Sequence, residues 1–228
     1  MEEKILELKR ELDLILTDYS VDKVGSDTGG KRRASKGILT RNIYSKIINF
    51  VIKETGLNFK LYYKKSNLPF KIKKKLPYLN LSNNFKFQRK FDRLGKGNEV
   101  EYDGFITFKD KIIMLLEFKS YTEVSMLKRV FVDAMIARQF FPDIKYSLCM
   151  LESAMGSQKN LISHSAITLI DNLERSLGVK IDIFVLMKGT RNSKRDIGIK
   201  KYMKEIDLDE LKFTVNSFVI FFQSFKKN

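Results

Sequence analysis

Ile5, Leu8, Leu12 and Ile15 recur at three- and four-residue intervals with charges between them, the spacing of an amphipathic helix over residues 2–16. Ile43, Ile47, Phe50 and Val51 repeat the period and predict a helix over 38–54, stopped by Gly56. Leu127, Val130, Phe131, Ala134, Met135 and Arg138 predict another over 123–141, closed by Pro142. Further helices are expected over 158–177, ending at Gly178, and over 208–225, the last apolar enough to pack on a sheet or on a second subunit. Apolar runs at 144–151 and 180–187 predict short buried strands. Phe85-Lys-Phe-Gln-Arg-Lys-Phe91 alternates every second residue and predicts a strand as well.

Between that strand and the 123–141 helix lie two apolar runs, Phe105 to Phe108 and Ile112 to Leu116, separated by Lys109-Asp110-Lys111. This is the pattern of a β-hairpin. Its second strand ends on Glu117 and Lys119, two residues apart and therefore on one face. With a three-residue turn, Lys109 to Lys111, Phe108 faces Ile112 and Asp103 faces Glu117. A two-residue turn would set Asp103 against Leu116, leaving the acids to meet through twist or a bulge. From residue 85 the expected order is strand, hairpin, helix, strand, helix, strand, helix. A strand–helix–strand crossover is parallel, so the fold class is α/β, a mixed central β-sheet with helices on its faces.

Charge narrows the partners. The 228 residues carry 43 Lys and Arg against 27 Asp and Glu, a net charge of +16. A surplus of that size fits a polyanion, because released counterions supply affinity. It is also clustered: residues 60–96 hold twelve basic residues and one acid, Asp92. Lys71, Lys73, Lys74, Lys75, Arg89, Lys90 and Arg93 belong to this tract and interleave with Tyr62, Tyr63, Phe70, Tyr78, Phe85, Phe87 and Phe91, a footprint suited to nucleic acid. Residues 20–37, with Lys31, Arg32 and Arg33 among glycines and serines, are expected to form a second basic segment, a mobile loop. Residues 189–201 read as a third basic loop. The single cysteine, Cys149, excludes an internal disulfide and reads as core, and the single histidine, His164, excludes a site of several imidazoles. The start is acidic and amphipathic, unlike a signal peptide, and no apolar run approaches the roughly 20 residues that span a bilayer. The expected setting is cytoplasmic, without membrane attachment.

Two converging carboxylates repel unless something positive lies between them. A hard cation such as Mg²⁺ accepts one or two carboxylates plus waters and substrate phosphate. It polarises a phosphoryl oxygen, while an ammonium such as Lys119 holds water and offsets growing charge. The set suits phosphodiester hydrolysis, with DNA or RNA as substrate.

Asp103 followed by Glu117-Phe118-Lys119 at the end of an apolar strand resembles the PD-(D/E)xK nuclease superfamily, and the additions outside the core look most like type II restriction endonucleases. The resemblance covers roughly residues 38–151 and implies a core of helix, three strands, helix and strand. It implies that Asp103 and Glu117 ligate Mg²⁺ with help from the Phe118 carbonyl, and that Lys119 is the catalytic lysine. Tyr102 replaces the proline of the pattern. A further acid would come from Glu54, Glu101 or Glu99. Gln139 could reach the scissile phosphate but reads more simply as exposed. Other acid–x–lysine triplets, Glu7 to Lys9, Glu210 to Lys212 and Asp143 to Lys145, lie on predicted helices or at a strand's start, with no acid opposite.

These readings together predict one nuclease domain over 1–228. It would be a Mg²⁺-dependent, sequence-specific endonuclease of double-stranded DNA, homodimeric because two-fold symmetry matches palindromic targets, working in a prokaryotic cell. Competing readings are a repair or junction-resolving nuclease of the same fold, and a nucleic-acid-binding protein without catalysis.

Overall fold

The computed structural model describes residues 1–22, 29–63, 102–155, 164–188 and 204–227. Among the described residues, five helices and five strands follow in chain order: α1 (Glu2–Asp22), α2 (Gly29–Thr55), β1 (Phe59–Tyr63), β2 (Gly104–Phe108), β3 (Lys111–Thr122), α3 (Val124–Phe140), β4 (Lys145–Ser153), α4 (His164–Leu177), β5 (Ile181–Val185) and α5 (Leu208–Gln223), which ends in a 3₁₀ turn (Ser224–Lys227). The strands form one sheet in the order β1-β2-β3-β4-β5. β1, β2 and β3 are mutually antiparallel; β3, β4 and β5 run parallel through the α3 and α4 crossovers. The sheet is mixed and flanked by helices, as expected.

Alternation along the strands divides the interior in two. Ile106, Met114, Leu116, Phe118, Cys149, Leu151 and Phe184 point to one face, where they meet Ile5, Leu8 and Leu12 of α1, the α2 stripe and Leu211, Val215, Phe218 and Phe222 of α5. Phe105, Leu115, Tyr146, Leu148, Met150, Ile181 and Ile183 point to the other, where Leu127, Val130, Phe131, Ala134 and Ala137 of α3 cover them. Cys149 is a buried free thiol of the first face. Gly56 and Gly178 take φ of 65° and 62° after α2 and α4, the left-handed geometry that ends a helix.

The α2 face is locked by one hydroxyl. Tyr44 is fully buried; its Oη donates to the Met150 carbonyl (2.8 Å), accepts from the Met150 N–H (3.1 Å) and lies 3.1 Å from the Phe184 carbonyl. It ties α2 to the backbone of β4 and β5 where those two strands are themselves paired.

Three expectations need correction. The segment 20–37 is not a loop throughout: α1 runs to Asp22 and α2 begins at Gly29, placing the backbone of Lys31, Arg32 and Arg33 in the first turns of a helix. The strand beside β2 is β1 at 59–63, pairing Lys60 with Thr107 and Tyr63 with Gly104. The predicted strand 85–91 lies outside the described residues, as do the basic loop 189–201 and the start of the helix predicted over 158–177. The hairpin turn has two residues, Lys109 and Asp110, both left-handed (φ 49° and 61°), as a tight hairpin turn requires. Among the described residues, no helix is long and apolar enough to cross a membrane.

Tyr44→Phe should lower stability by about 0.5–1.5 kcal/mol, the net worth of a buried hydrogen bond, measured by urea denaturation. An unchanged midpoint would show that the hydroxyl carries no such burden.

Candidate active site

A two-residue turn pairs Phe108 with Lys111 and Thr107 with Ile112. Continued unbroken, that count would put Asp103 opposite Leu116. The register shifts between Thr107 and Ile106, whose partner is Met114, so Ile113 is the extra residue of a β-bulge. Beyond it Phe105 pairs with Leu115 and Gly104 with Leu116. Asp103 therefore stands opposite Glu117. The three-residue turn expected from sequence is wrong, yet the acids meet where it placed them, because the bulge restores the missing residue.

Glu117 and Lys119 follow Leu115 at two-residue spacing, so they share the face covered by α3. β3 runs on to Thr122 while the β2 ladder stops at Gly104, leaving the β2-side edge of β3 without a strand partner in this ladder from Glu117 onward. Asp103 fills the first gap: its Oδ2 accepts a 2.9 Å hydrogen bond from the Phe118 N–H. A strand residue's N–H and C=O leave the backbone on the same side, so the Phe118 carbonyl is turned to this edge too. Gly104 makes the approach possible. A Cβ there would lie 3.0 Å from the Tyr62 carbonyl oxygen and 3.3 Å from the Phe118 ring.

Glu117 is paired with Lys119, their side chains 13% and 32% exposed. The Glu117 carboxyl is raised above its ordinary range, first by burial and next by the Asp103 charge; the Lys119 ammonium opposes both. Asp133 of α3 faces the same group from above. Its carboxyl is raised by burial, against the pull of Arg129 and Lys119. Two tyrosines pack beside these groups, Tyr102 next to Asp103 and Tyr146 on β4, rings edge to face with centroids 6.2 Å apart. Burial and nearby acids push both hydroxyls up, so both stay protonated donors.

The structure thus brings Asp103, Glu117, Phe118 and Lys119 together. Glu54 is not with them: it ends α2 on the opposite side of the sheet, its carboxylate held by Lys4 of α1 at 2.8 Å. It is corrected from a candidate ligand to a partner in a surface ion pair. Glu99, Glu101, Lys71, Lys73, Lys74, Lys75, Arg89, Lys90 and Arg93 lie outside the described residues, as do the side chains of Lys31, Arg32, Arg33, Gln139 and His164. The rival triplets at Glu7 and Glu210 are indeed on helices, and Lys145 is engaged with Asp182 at 2.9 Å.

Sequence reasoning missed Asp133 and Tyr146. Asp133 had a signal: it lies three residues after Val130 and four before Ala137, inside the buried stripe of α3, where an acid is out of place. Tyr146 had none, since a tyrosine in an apolar strand reads as core.

Asp103 and Glu117 offer two carboxylates and Phe118 an edge carbonyl, all hard oxygen donors. Among the described residues no group of three or more His, Cys, Asp or Glu side chains is placed to hold a metal ion. The two carboxylates and the carbonyl would suit a cation that keeps much of its water, as Mg²⁺ does.

Over 194 residues, 82% of this chain and 80% of the relative, the sequence is 24% identical to the type II restriction enzyme DdeI of Desulfomicrobium norvegicum. No family model matches the chain, and no solved structure matches it.

A raised carboxyl means the fold disfavours ionised Glu117. The resulting stability is complete below the ordinary carboxylate range and is lost as pH rises through the raised value. In chelator-containing buffer, Glu117→Gln should therefore melt above the parent at neutral pH, and the gap should close in acid. A lower melting temperature at pH 7 would contradict this electrostatic account.

Proposed function

We propose that the chain is a Mg²⁺-dependent, sequence-specific endonuclease of double-stranded DNA, of the type II restriction class and the PD-(D/E)xK superfamily. The observation that carries this reading is Asp103 opposite Glu117, with Lys119 on the same face of β3, at a sheet edge where the Phe118 carbonyl is also presented. The likeness to DdeI over most of both chains supports it, as does the order α2, β1, β2, β3, α3, β4, which is the core order that the superfamily resemblance implies.

Asp103 and Glu117 would hold the cation, with Phe118 lending its carbonyl. When bound there, Mg²⁺ supplies Lewis-acid polarisation of a phosphoryl oxygen. The remaining work falls to the chain. Lys119 orients the attacking water by hydrogen bonding and offsets the negative charge that gathers on phosphorus. Its pairing with Glu117 keeps the ammonium at the site instead of in solvent. Water oxygen bonds to phosphorus as the bond from phosphorus to one deoxyribose oxygen breaks; a proton of the water leaves to solvent, and the departing oxygen takes one up from solvent to become a hydroxyl.

Substrate affinity comes from the surplus of positive charge, net +16, through counterion release. Lys71, Lys73, Lys74, Lys75, Arg89, Lys90 and Arg93, together with Lys31, Arg32 and Arg33, are the phosphate-binding candidates. The unit extends over 1–228 and works as a homodimer in a prokaryotic cytoplasm, each protomer cutting one strand of a two-fold symmetric target.

Plasmid DNA with Mg²⁺ should be cut into discrete fragments. Asp103→Ala, Glu117→Ala and Lys119→Ala should each slow cleavage by at least roughly 100-fold while DNA affinity stays within a few-fold. Glu117→Ala protein that cuts at full rate would remove the site assignment; binding without any cutting by the parent would leave only a nucleic-acid-binding protein. Neutralising Lys71, Lys73, Lys74 and Lys75 should flatten the salt dependence of binding, the log–log slope falling by about one for each DNA phosphate left without its lysine.

A further inference from the structure

Tyr146 sits under α3 with 1% of its surface exposed, and its hydroxyl has no hydrogen-bonding partner. A buried donor in that state costs about 1–3 kcal/mol, and such groups usually mark a water or ion at the spot. Three other buried side-chain atoms among the described residues share the condition, Thr122 Oγ1, Ser147 Oγ and Thr214 Oγ1, while Asp182 Oδ2 is ion-paired with Lys145. Tyr146 differs from them in its surroundings.

On β4, Tyr146 pairs with Leu115, and Glu117 pairs with Leu148. Tyr146 is thus the diagonal neighbour of Glu117 on the α3 face of two adjoining parallel strands. Strand side chains lean along the strand, and a tyrosine is long enough to cover that diagonal. Its hydroxyl lies within the fields of Glu117, Asp133, Tyr102 and Asp103. Three of these are carboxylates, which accept and do not donate. The tyrosine contributes the one kind of hydrogen that they need. The hydroxyl makes no direct hydrogen bond to any of them, which leaves its proton for a bridging water. A buried water is held by two to four polar partners, and Tyr146, Glu117 and Asp133 provide three.

We propose that Tyr146 is a positioning residue of the acid site: its hydroxyl donates to one ordered water shared with the Glu117 and Asp133 carboxylates, which sets the Glu117 carboxylate for its cation and brings Asp133 of α3 into the site at one remove. The proposal rests on the cation-binding reading above. Groups that orient ligands in this way change cation affinity when removed, typically about 10–100-fold.

Mn²⁺ serves as the probe, its binding to the full chain read from the loss of the free-ion electron paramagnetic resonance signal, without DNA. Tyr146→Phe should weaken Mn²⁺ about tenfold with the melting temperature of the metal-free protein almost unchanged. It should raise by a similar factor the Mg²⁺ concentration that half-saturates cleavage, and full rate should return at saturating Mg²⁺. Asp133→Asn should do the same, and the double variant should lose no more than either single one, because both act through one water. Mn²⁺ affinity unchanged in Tyr146→Phe, or losses that multiply in the double variant, would overturn the proposal while leaving the nuclease reading intact. If Tyr146→Phe does not fold, unchanged Mn²⁺ affinity in Asp133→Asn overturns it alone. A parent protein that neither binds Mn²⁺ nor cuts DNA would overturn both.

Discussion

Asp103 and Glu117 face each other across β2 and β3 because Ile113 is one residue too many for its strand. The tight Lys109-Asp110 turn leaves the hairpin one residue short of that pairing, and the bulge makes it up. Everything proposed for this chain depends on that compensation. A strand's side chains change face with every step, so a register one residue off would set Leu116 opposite Asp103 and leave Glu117 beyond it. The Asp103–Phe118 hydrogen bond then anchors the acid where the β2 ladder ends. The same carboxylate that shields an open edge amide is thereby aimed along the edge, toward the place where Glu117 and Lys119 emerge.

The two faces of the sheet divide the labour. Helices α1, α2 and α5 seal one with interlocked apolar stripes and the Tyr44 hydroxyl. The other is apolar under α3 only as far as Leu115, Leu148 and Met150, and gives way to Glu117, Lys119 and Asp133. Burial raises the two carboxyls of that trio, so their ionised forms are disfavoured in the free protein.

Much of this was legible in residue patterns, for a physical reason. Helical stripes such as Ile43, Ile47 and Val51 follow from local periodicity, and the structure buries all three. The pairing of Asp103 with Glu117 was also found, although by a turn of the wrong length: a missing turn residue and an unforeseen bulge cancel in the count. Lys-Asp carries no Asn-Gly signature, so nothing local announced left-handed φ at both positions. β1 was overlooked because an edge strand is defined by a distant partner, Lys60 with Thr107, rather than by its own pattern. Gly29 and Gly30 read as loop, whereas the backbone there is helical. Glu54 falls at the end of a correctly placed helix, but which side of the sheet that helix covers is a tertiary matter, and Lys4 claims the carboxylate. Asp133 and Tyr146 join the site from α3 and β4 only through packing.

The central claim is that the bulged hairpin builds an oxygen site for a divalent cation from Asp103 and Glu117. Anomalous diffraction from crystals soaked in Mn²⁺ tests it directly. The account predicts an anomalous peak in contact with both carboxylates and the Phe118 carbonyl. Crystals with the two carboxylates as described, but with no peak between them or with manganese bound elsewhere, would contradict it.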